Sequence, residues 1–239
     1  MANKILIKKS TVPGNIPDAA QLDVGELAVN TADGLLYTKH SDGSIVTLSG
    51  SAAGDAPAGG GGTYLLRTLL GSTAAWESIT DDISTYVSAG SNVRIAFQYK
   101  SGASYTGDVQ IDSVQIPNDF IHNFDGSAES YEVATATSSD VPYDSVAAWS
   151  PIATSGSTTG IFNRDSGGTP SGNTGLTTAS SGSWYIYAET SATGIGYPNM
   201  YFWVRTPAIT LSTNATSLVY AVARYGATIG TLKTYLIVE

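Results

Sequence analysis

Alternating apolar and polar positions dominate the middle of the chain and predict β-strands. Residues 92 to 100 and 108 to 116 both alternate with a period of two, which is typical of half-buried strands. A segment rich in Gly and Ser separates them, so together they predict a β-hairpin. The apolar phase shifts after Ile111, which predicts a β-bulge or a strand end near Ser113. The apolar members of the first run are Val93, Ile95, Phe97 and Tyr99.

The same reasoning predicts further strands towards the C-terminus. They cover 184–189, 200–205, 217–225 and 231–239. Both faces of the last strand are partly apolar, which indicates either a strand covered on two sides or a strand packed against a neighbouring subunit. Residues 153–182 are rich in Ser, Thr, Gly and Asn and predict exposed loops, where any ligand recognition is expected.

Short strands and turns also fill the N-terminal 50 residues. A strand is predicted over 4–8, and the runs 27–31, 35–39 and 45–49 predict a meander with Asp-Gly turns between its strands. So few apolar side chains are marginal for an independent domain. We therefore expect docking on a partner, or trimerisation, to stabilise this part.

A linker follows over residues 51–63, with four consecutive glycines and otherwise mostly small residues. The organisation is then predicted as an attachment segment over 1–50, this linker, a connecting segment over 64–87 and a sandwich over 88–239. The connecting segment contains GSTAAW at 71–76, which resembles a short strand-turn unit common in phage fibres after such linkers. Alternatively, its leucines are at helical spacing: Leu65, Leu66, Leu69 and Leu70. These leucines also suit a three-fold oligomer interface, or else Leu69, Leu70 and Trp76 cover one end of the sandwich.

Composition supports an all-β protein with many turns: a small N-terminal meander, a Gly-rich linker and a C-terminal β-sandwich. Charged residues are 13% of the chain, against about 25% in a typical domain, and 26 residues are Gly. The net charge is −9, so nucleic acid is not an expected partner. No run approaches the roughly 20 apolar residues of a membrane span, and the N-terminal apolar run is too short for a signal peptide. We expect a protein that stays soluble in the cell that makes it.

The run from Val12 to Lys39 has the pattern P-x-x-x-x-L-x-x-GELA-x-N-x-x-DG-x-LY. It resembles a module found at the N-termini of tailed-phage fibre and appendage proteins. The resemblance implies a virion structural protein, made in the host bacterial cytoplasm, whose N-terminal segment attaches the chain to the particle. From turn chemistry alone, several of these residues serve only turn geometry. The positions that carry the motif are Gly25, Glu26, Leu27, Ala28, Asn30, Asp33, Gly34, Leu36 and Tyr37.

The run GDVQIDSV at residues 107–114 resembles the closing strand of MAM-type jelly rolls. Residues 119–133 resemble the opening of that family, and 225–239 resemble the strand pair that precedes the closing strand, so the order is permuted. The resemblance implies that the strand over 231–239 lies near the 92–116 pair, within one chain or between chains. The chain has no Cys, as expected for folding in a reducing cytoplasm.

The residues do not predict catalysis. Without Cys, thiol chemistry is absent, and His40 and His122 have no Ser or acid motif around them. Asp108 and Asp112 share a strand face about 13 Å apart, too far for a glycosidase pair, although Glu129 and Glu132 could approach each other. Calcium is a weaker possibility through loop oxygens, with the alternative that the same acids only keep the surface soluble. The calcium candidates are Asp125, Glu129, Asp140 and Asp144.

Aromatic residues could in principle form a glycan platform, but alternation in the strands predicts that most are core. They are Trp149, Trp184, Tyr185, Tyr187, Tyr197, Tyr201 and Trp203. The expected function is a structural virion component: a short fibre or appendage of neck, tail or head, a homotrimer that contacts other virion proteins and possibly a host glycan. The alternatives are a capsid decoration protein without host binding and a jelly-roll carbohydrate-active enzyme.

Overall fold

A computed structural model describes residues 7–12, 15–32, 35–47, 61–126, 131–153, 160–170, 175–191 and 196–239. Within these ranges the regular structure consists of seventeen β-strands and two short 3-10 helices, which confirms the all-β prediction. The chain divides into two compact units, Met1–Asp55 and Ala56–Glu239.

The N-terminal unit is a four-stranded sheet in the order β1-β2-β3-β4. Its strands are β1 (Lys8–Ser10), β2 (Leu27–Asn30), β3 (Leu35–Lys39) and β4 (Ile45–Thr47). The last three form the predicted antiparallel meander. The strand predicted over 4–8 instead begins at Lys8 and pairs in parallel with β2, and residues 4–6 lie outside the described part. A parallel pair needs a crossover, which is built around a 3-10 helix at Ala19–Gln21.

Two sheets form the second unit. The strands in chain order are β5 (Gly62–Leu70), β6 (Glu77–Asp82), β7 (Asn92–Lys100), β8 (Asp108–Ile116), β9 (Phe120–His122), β10 (Glu132–Thr137), β11 (Ser150–Pro151), β12 (Phe162–Ser166), β13 (Trp184–Ala188), β14 (Tyr201–Arg205), β15 (Ile209–Thr210), β16 (Ser217–Tyr225) and β17 (Thr231–Val238). The first sheet has the order β11-β10-β14-β7-β17-β5, with β15 on β7. The second has the order β12-β13-β8-β16-β6, with β9 on β8.

The two sheets pack into a jelly-roll-like sandwich because alternate side chains of each face the other. From β5 to β8 each strand belongs to the opposite sheet from the one before it. The enclosed core is continuous and includes fully buried Ile95, Phe97, Ile111, Phe202 and Leu236. The predicted strands from 184 to 239 are all present.

The predicted hairpin between 92–100 and 108–116 is wrong, because β7 and β8 lie in different sheets. Both strands are buried on both faces along most of their length, so alternation could not identify their partners. The partners come from the C-terminal part: β17 pairs with β7, and β16 with β8. The predicted closeness of 231–239 to this region is confirmed, and it arises within one chain.

The predicted β-bulge near Ser113 is confirmed. The register between β8 and β16 shifts between Asp112 and Gln115. Ser113 has a φ of 53° and its backbone N–H donates to the Asp112 carboxylate at 2.6 Å. A bulged residue with positive φ is rare for a residue with a side chain, and here the carboxylate of the preceding residue accepts its N–H.

A separate connecting segment over 64–87 is not present, because β5 and β6 are integral strands of the two sheets. The helical interpretation of the four leucines is wrong, since all of them lie in β5. That strand begins at Gly62, so the last two residues of the predicted linker belong to it; residues 51–60 lie outside the described part. Of the two alternatives for β17, the structure supports a strand covered on two sides within the chain. Its outer face contacts Trp203, which packs with residues of the segment 143–149.

Candidate functional site

A cavity of about 460 Å³ opens in the N-terminal unit. It lies beside the parallel pair β1 and β2 and the crossover between them. Five fixed positions of the N-terminal motif line it: Pro17, Leu22, Ala28, Asn30 and Tyr37. The others are Lys8, Lys9, Ser10, Asn15, Gln21 and Val29. A concave surface with a few polar groups is the usual form of a binding site in a small domain.

Asn30 organises one end of this cavity. It is the last residue of β2 and only 1% exposed. Its side-chain amide donates to the carbonyl oxygens of Val12 at 2.9 Å and Asn15 at 3.1 Å, and its amide oxygen accepts from the Ala32 N–H at 3.0 Å. A buried amide is costly unless such bonds are made. Asn30 therefore holds the chain after β1 against the end of β2.

Gly25 and Glu26 fix the turn that leads into β2. Gly25 has a φ of +81°, which a residue with a side chain rarely adopts, and its N–H donates to the Lys39 carbonyl at 2.9 Å. The Glu26 carboxylate accepts from Lys8 Nζ at 2.7 Å and from the Asp23 N–H at 2.9 Å. These hydrogen bonds, Lys8 first, lower the pKa of Glu26. The ion pair between Glu26 and Lys8 therefore links the turn to β1.

The remaining motif residues are divided between core and surface. Tyr37 and Ala28 are buried and form the small core with Leu22. Leu27 and Leu36 are half-buried. Asp33 and Gly34 lie outside the described residues. The structure thus brings Ala28, Asn30 and Tyr37 together at the cavity, and gives Gly25 and Glu26 roles in the adjacent turn.

Sequence reasoning missed the crossover that forms much of the cavity wall. A signal for it was present: Asp18 and Gln21 have the spacing of a capping box. The Asp18 side chain accepts from the Ala20 N–H at 2.9 Å, and Gln21 Oε1 accepts from the Asp18 N–H at 3.0 Å. This reciprocal pair starts the short helix that places Leu22 under the sheet.

The N-terminal unit also exposes apolar surface out of proportion to its core. Among the described residues of this unit, the buried apolar side chains are Leu22, Ala28 and Tyr37. Large aliphatic side chains that remain exposed are Ile7 (41%), Val12 (59%), Ile16 (55%) and Val24 (62%). Each single exposure is ordinary, but in this unit the exposed large aliphatic side chains outnumber the buried apolar ones among the described residues. Ile16 lies between two residues that line the cavity, Asn15 and Pro17.

The predicted calcium ligands do not form a common site. Asp125 accepts from the backbone N–H groups of Ser183 and Trp184 beside the second sheet. Asp140 accepts from Gln98 on the first sheet at 2.7 Å, and Asp144 from Thr63 at 3.2 Å. Glu129 lies outside the described residues, among which no group of three or more potential ligands could hold a metal ion.

The other acids considered for catalysis have structural partners. Asp108 is fully buried and accepts from the Thr190 N–H at 3.0 Å. Glu132 forms ion pairs with Arg205 at 2.7 Å and Arg94 at 3.4 Å. His40 is exposed beside Asp42, whereas His122 stacks among the rings of Phe120, Phe124 and Tyr131.

Asp112 has a different environment from the other acids. It is completely buried, and burial raises its pKa to about 6, with the neighbouring charge of Asp125 acting in the same direction. Backbone N–H groups of Ser181, Ser113 and Ser180 oppose this shift. Asp112 therefore anchors the loop before β13 to the bulge of β8.

Most of the aromatic candidates are packed, as predicted. Tyr185, Tyr187 and Trp203 are buried. Arg164 lies 3.9 Å from the ring centroid of Trp184, and Arg205 lies 4.2 Å from that of Trp149. The polar tract 153–182 is not only loop, since it contains β12, whose Phe162, Asn163 and Arg164 are buried. Residues 154–159 and 171–174 of this tract lie outside the described part.

The leucines of β5 have two environments. Leu66 and Leu69 pack against the core of the sandwich. Leu65 is 48% and Leu70 68% exposed. Trp76 donates its indole N–H to the Thr178 carbonyl at 2.8 Å and contacts Tyr185 edge-on. Leu69 and Trp76 therefore pack against the sandwich, whereas Leu70 does not.

Comparison of the chain with protein-family models, with curated proteins and with solved structures finds no match. Among the described residues there is no helix of the length and apolarity needed to cross a membrane. The candidate site is therefore interpreted from its own geometry and from the resemblance of its motif.

Proposed function

We propose that the protein is a structural component of a tailed-phage particle, attached through its N-terminal unit and carrying the β-sandwich as the displayed part. It serves as a short fibre or appendage of neck, tail or head. The observation that carries this proposal is the N-terminal unit itself. It combines a cavity lined by motif residues with four exposed aliphatic side chains, around a core of three buried apolar residues.

Two physical arguments support attachment through this unit. A sheet with so small a core gains stability when it buries its aliphatic side chains against a partner. The hydrogen bonds of Asn30 and Glu26 also hold the crossover in place, so the cavity and Ile16 are presented by a fixed backbone. A preformed surface loses less entropy on binding than a segment that must order.

If the protein binds the host surface, the loops of the sandwich would make the contact. In a decoration protein without host binding, those loops would have no ligand. The enzyme alternative gains no support from the described acids, because Asp108 and Glu132 are engaged in the fold. Attachment through the N-terminal unit is common to the fibre and decoration alternatives and can be tested first.

The test compares two exposed isoleucines. Particles are assembled in host cells that supply the full chain from a plasmid, in place of the phage copy, and the chain is quantified in purified particles by mass spectrometry. Ile16→Asp should reduce incorporation at least about 10-fold, because it places a charge in an apolar interface. Ile121→Asp, at a side chain that is 74% exposed on β9, is the matched control and should incorporate normally.

Normal incorporation of Ile16→Asp would contradict attachment through this surface, and absence of the wild-type chain from purified particles would contradict the virion role itself. Circular dichroism of both purified variants checks that each retains the β-sheet signal of the wild type.

A further inference from the structure

β5 is a long edge strand whose outer side has no partner within the part of the chain that the structure describes. It has nine residues and pairs only with β17 on its inner side. Unpaired backbone N–H and C=O groups along a sheet edge are a template for another strand. Natural proteins usually protect such edges with exposed charges, prolines, β-bulges or short strand length, and β5 has a β-bulge at Leu66 but no proline.

The neighbouring edge strand, β6 of the other sheet, has two acidic residues that are not buried, Glu77 and Asp82, whereas its third, Asp81, is buried. In β5 the only charged residue is Arg67. Its side chain is 39% exposed, and its Nε lies 2.6 Å from the buried carboxylate of Asp81, so the one charge of β5 is paired within the chain.

A β-bulge makes the exposed face of β5 symmetrical about Thr68. Leu65 pairs with Tyr235 and Arg67 with Thr234, so Leu66 is the extra residue. Thr68 and Leu70 then pair with Lys233 and Thr231. Counted along β17, Leu65 and Leu70 are each two ladder positions from Thr68, on opposite sides of it. All three point away from the core because residues two apart on β17 share a face.

We propose that β5 pairs with β5 of a second copy of this chain, antiparallel and across a two-fold axis at Thr68. In this register Thr68 faces its own counterpart, and Leu65 of each copy faces Leu70 of the other. The side chains that are 48% and 68% exposed in one chain thus cover each other. The pairing satisfies the edge backbone groups and joins the first sheets of two sandwiches into one.

We propose a second copy of this chain as the partner of β5 because the exposed face of β5 is complementary to itself. A strand from another protein would need apolar residues at the same two distances from a central position, whereas β5 has them by construction. An isologous contact of this kind closes with two copies. In this proposal a two-fold contact takes the place of the three-fold interface expected from the four leucines. Only Leu65 and Leu70 take part in it, because Leu66 and Leu69 already pack against the core.

The size of the contact indicates how tight it should be. At about 3.3 Å per residue β5 is roughly 30 Å long. The lateral surface of the sandwich beside β5 is roughly 20 Å wide, because the two sheets lie about 10 Å apart and side chains extend beyond them. This gives on the order of 600 Å² per copy, slightly below the approximately 800 Å² of standard stable interfaces. We expect a dimer that dissociates measurably in the micromolar range.

A single cysteine tests the two-fold axis directly, because the chain has none of its own. Facing residues of an antiparallel pair have Cα atoms about 4.5–5.5 Å apart, which suits a disulfide. Thr68→Cys, at an exposed side chain, should form disulfide-linked dimers under mild oxidation. Ser78→Cys, an exposed position on β6, is the matched control and should cross-link at least about 10-fold more slowly.

Sedimentation equilibrium of the full chain measures the same contact without cross-linking. The wild type should show twice the chain mass at high concentration, and the double variant Leu65→Lys with Leu70→Lys should raise the dissociation constant about 100-fold or more. A wild-type mass of one chain or three chains would overturn the proposal. So would cross-linking of Thr68→Cys at the rate of the Ser78→Cys control.

Discussion

At the scale of single residues, the described part of the chain uses carboxylates mainly as fixed acceptors for backbone N–H groups. Asp119 accepts from Ser212 and Thr213, Asp125 from Ser183 and Trp184, and Asp108 from Thr190. These contacts join loops that are far apart in sequence. Asp112 does the same from a fully buried position, and burial consequently raises its pKa.

The Asp112 carboxyl should give the stability of the sandwich a measurable pH dependence. Its pKa is raised to about 6 in the folded chain, mainly by burial, against an ordinary value near 3.9. The folded state therefore binds this proton more tightly than the unfolded state. Its stabilising contribution is complete below about pH 4 and is lost as the pH rises through 6, by on the order of 2–3 kcal/mol.

Urea unfolding between pH 4 and pH 7 measures this effect as the difference between wild type and Asp112→Asn. We expect that difference in the free energy of unfolding to change by roughly 2–3 kcal/mol across the range. Asp144→Asn, at an exposed carboxylate, should follow the wild type at every pH. A difference between wild type and Asp112→Asn that is constant with pH would show that the pKa of Asp112 is not raised.

At the scale of elements, the passage from β7 to β8 depends on close backbone packing. The loop 101–107 between them crosses from one sheet to the other and meets the loop 226–230, which makes the matching passage from β16 to β17. A Cβ on Gly102 would be 1.8 Å from the Thr228 carbonyl oxygen, and one on Gly230 would be 1.8 Å from that of Lys100. The loops can approach this closely only because both positions are glycine.

Replacing Gly230 with Ala should therefore destabilise the sandwich strongly. The added methyl group meets the backbone of Lys100, Ser101 and Gly102 and must displace one of the two loops, so we expect a loss of at least about 2–4 kcal/mol in the free energy of unfolding. Gly168→Ala is the control, since its Cβ would make an ordinary contact 3.7 Å from Thr177 Cγ2. Thermal unfolding followed by circular dichroism compares them, and equal stability of the two variants would contradict the close packing.

The elements also show what the sequence can and cannot reveal. Alternation located the strands of the meander, β7, β8 and the C-terminal strands, and the phase shift located the bulge at Ser113. Pairing was not predictable for β7 and β8, because strands buried on both faces carry no signal for their neighbours. The helical interpretation of the leucines in β5 failed because the bulge at Leu66 breaks the alternation.

The same limits apply to the candidate site. The motif resemblance pointed to Ala28, Asn30 and Tyr37, which line the cavity. It could not point to Lys8 or Asn15, whose positions depend on a parallel pairing of β1 and on the crossover. β12 was hidden for a related reason, because its buried residues include polar Asn163 and Arg164. A buried Arg is possible there because carbonyl oxygens of Phe124 and Gly126 accept its N–H groups.

At the scale of the whole molecule, the two units differ in core size, in exposed apolar side chains and in charge. The N-terminal unit has a motif-lined cavity, exposed aliphatic side chains and a small core. The second unit has a large continuous core, and the range 51–239 holds 15 acidic against 7 basic residues, with Asp81, Asp108 and Asp112 among the buried ones. An acidic, weakly adhesive surface suits a displayed part, and an apolar one suits an attached part.

Gold labelling of intact phage particles with an antibody raised against the second unit tests the central claim most directly. The antibody is imaged by electron microscopy, with particles assembled without this chain as the control. We predict label on the particle: over the head for a decoration protein or head fibre, and at the neck or tail for an appendage there. Particles that contain the intact genome and tail but bind no more label than the control would contradict a virion role.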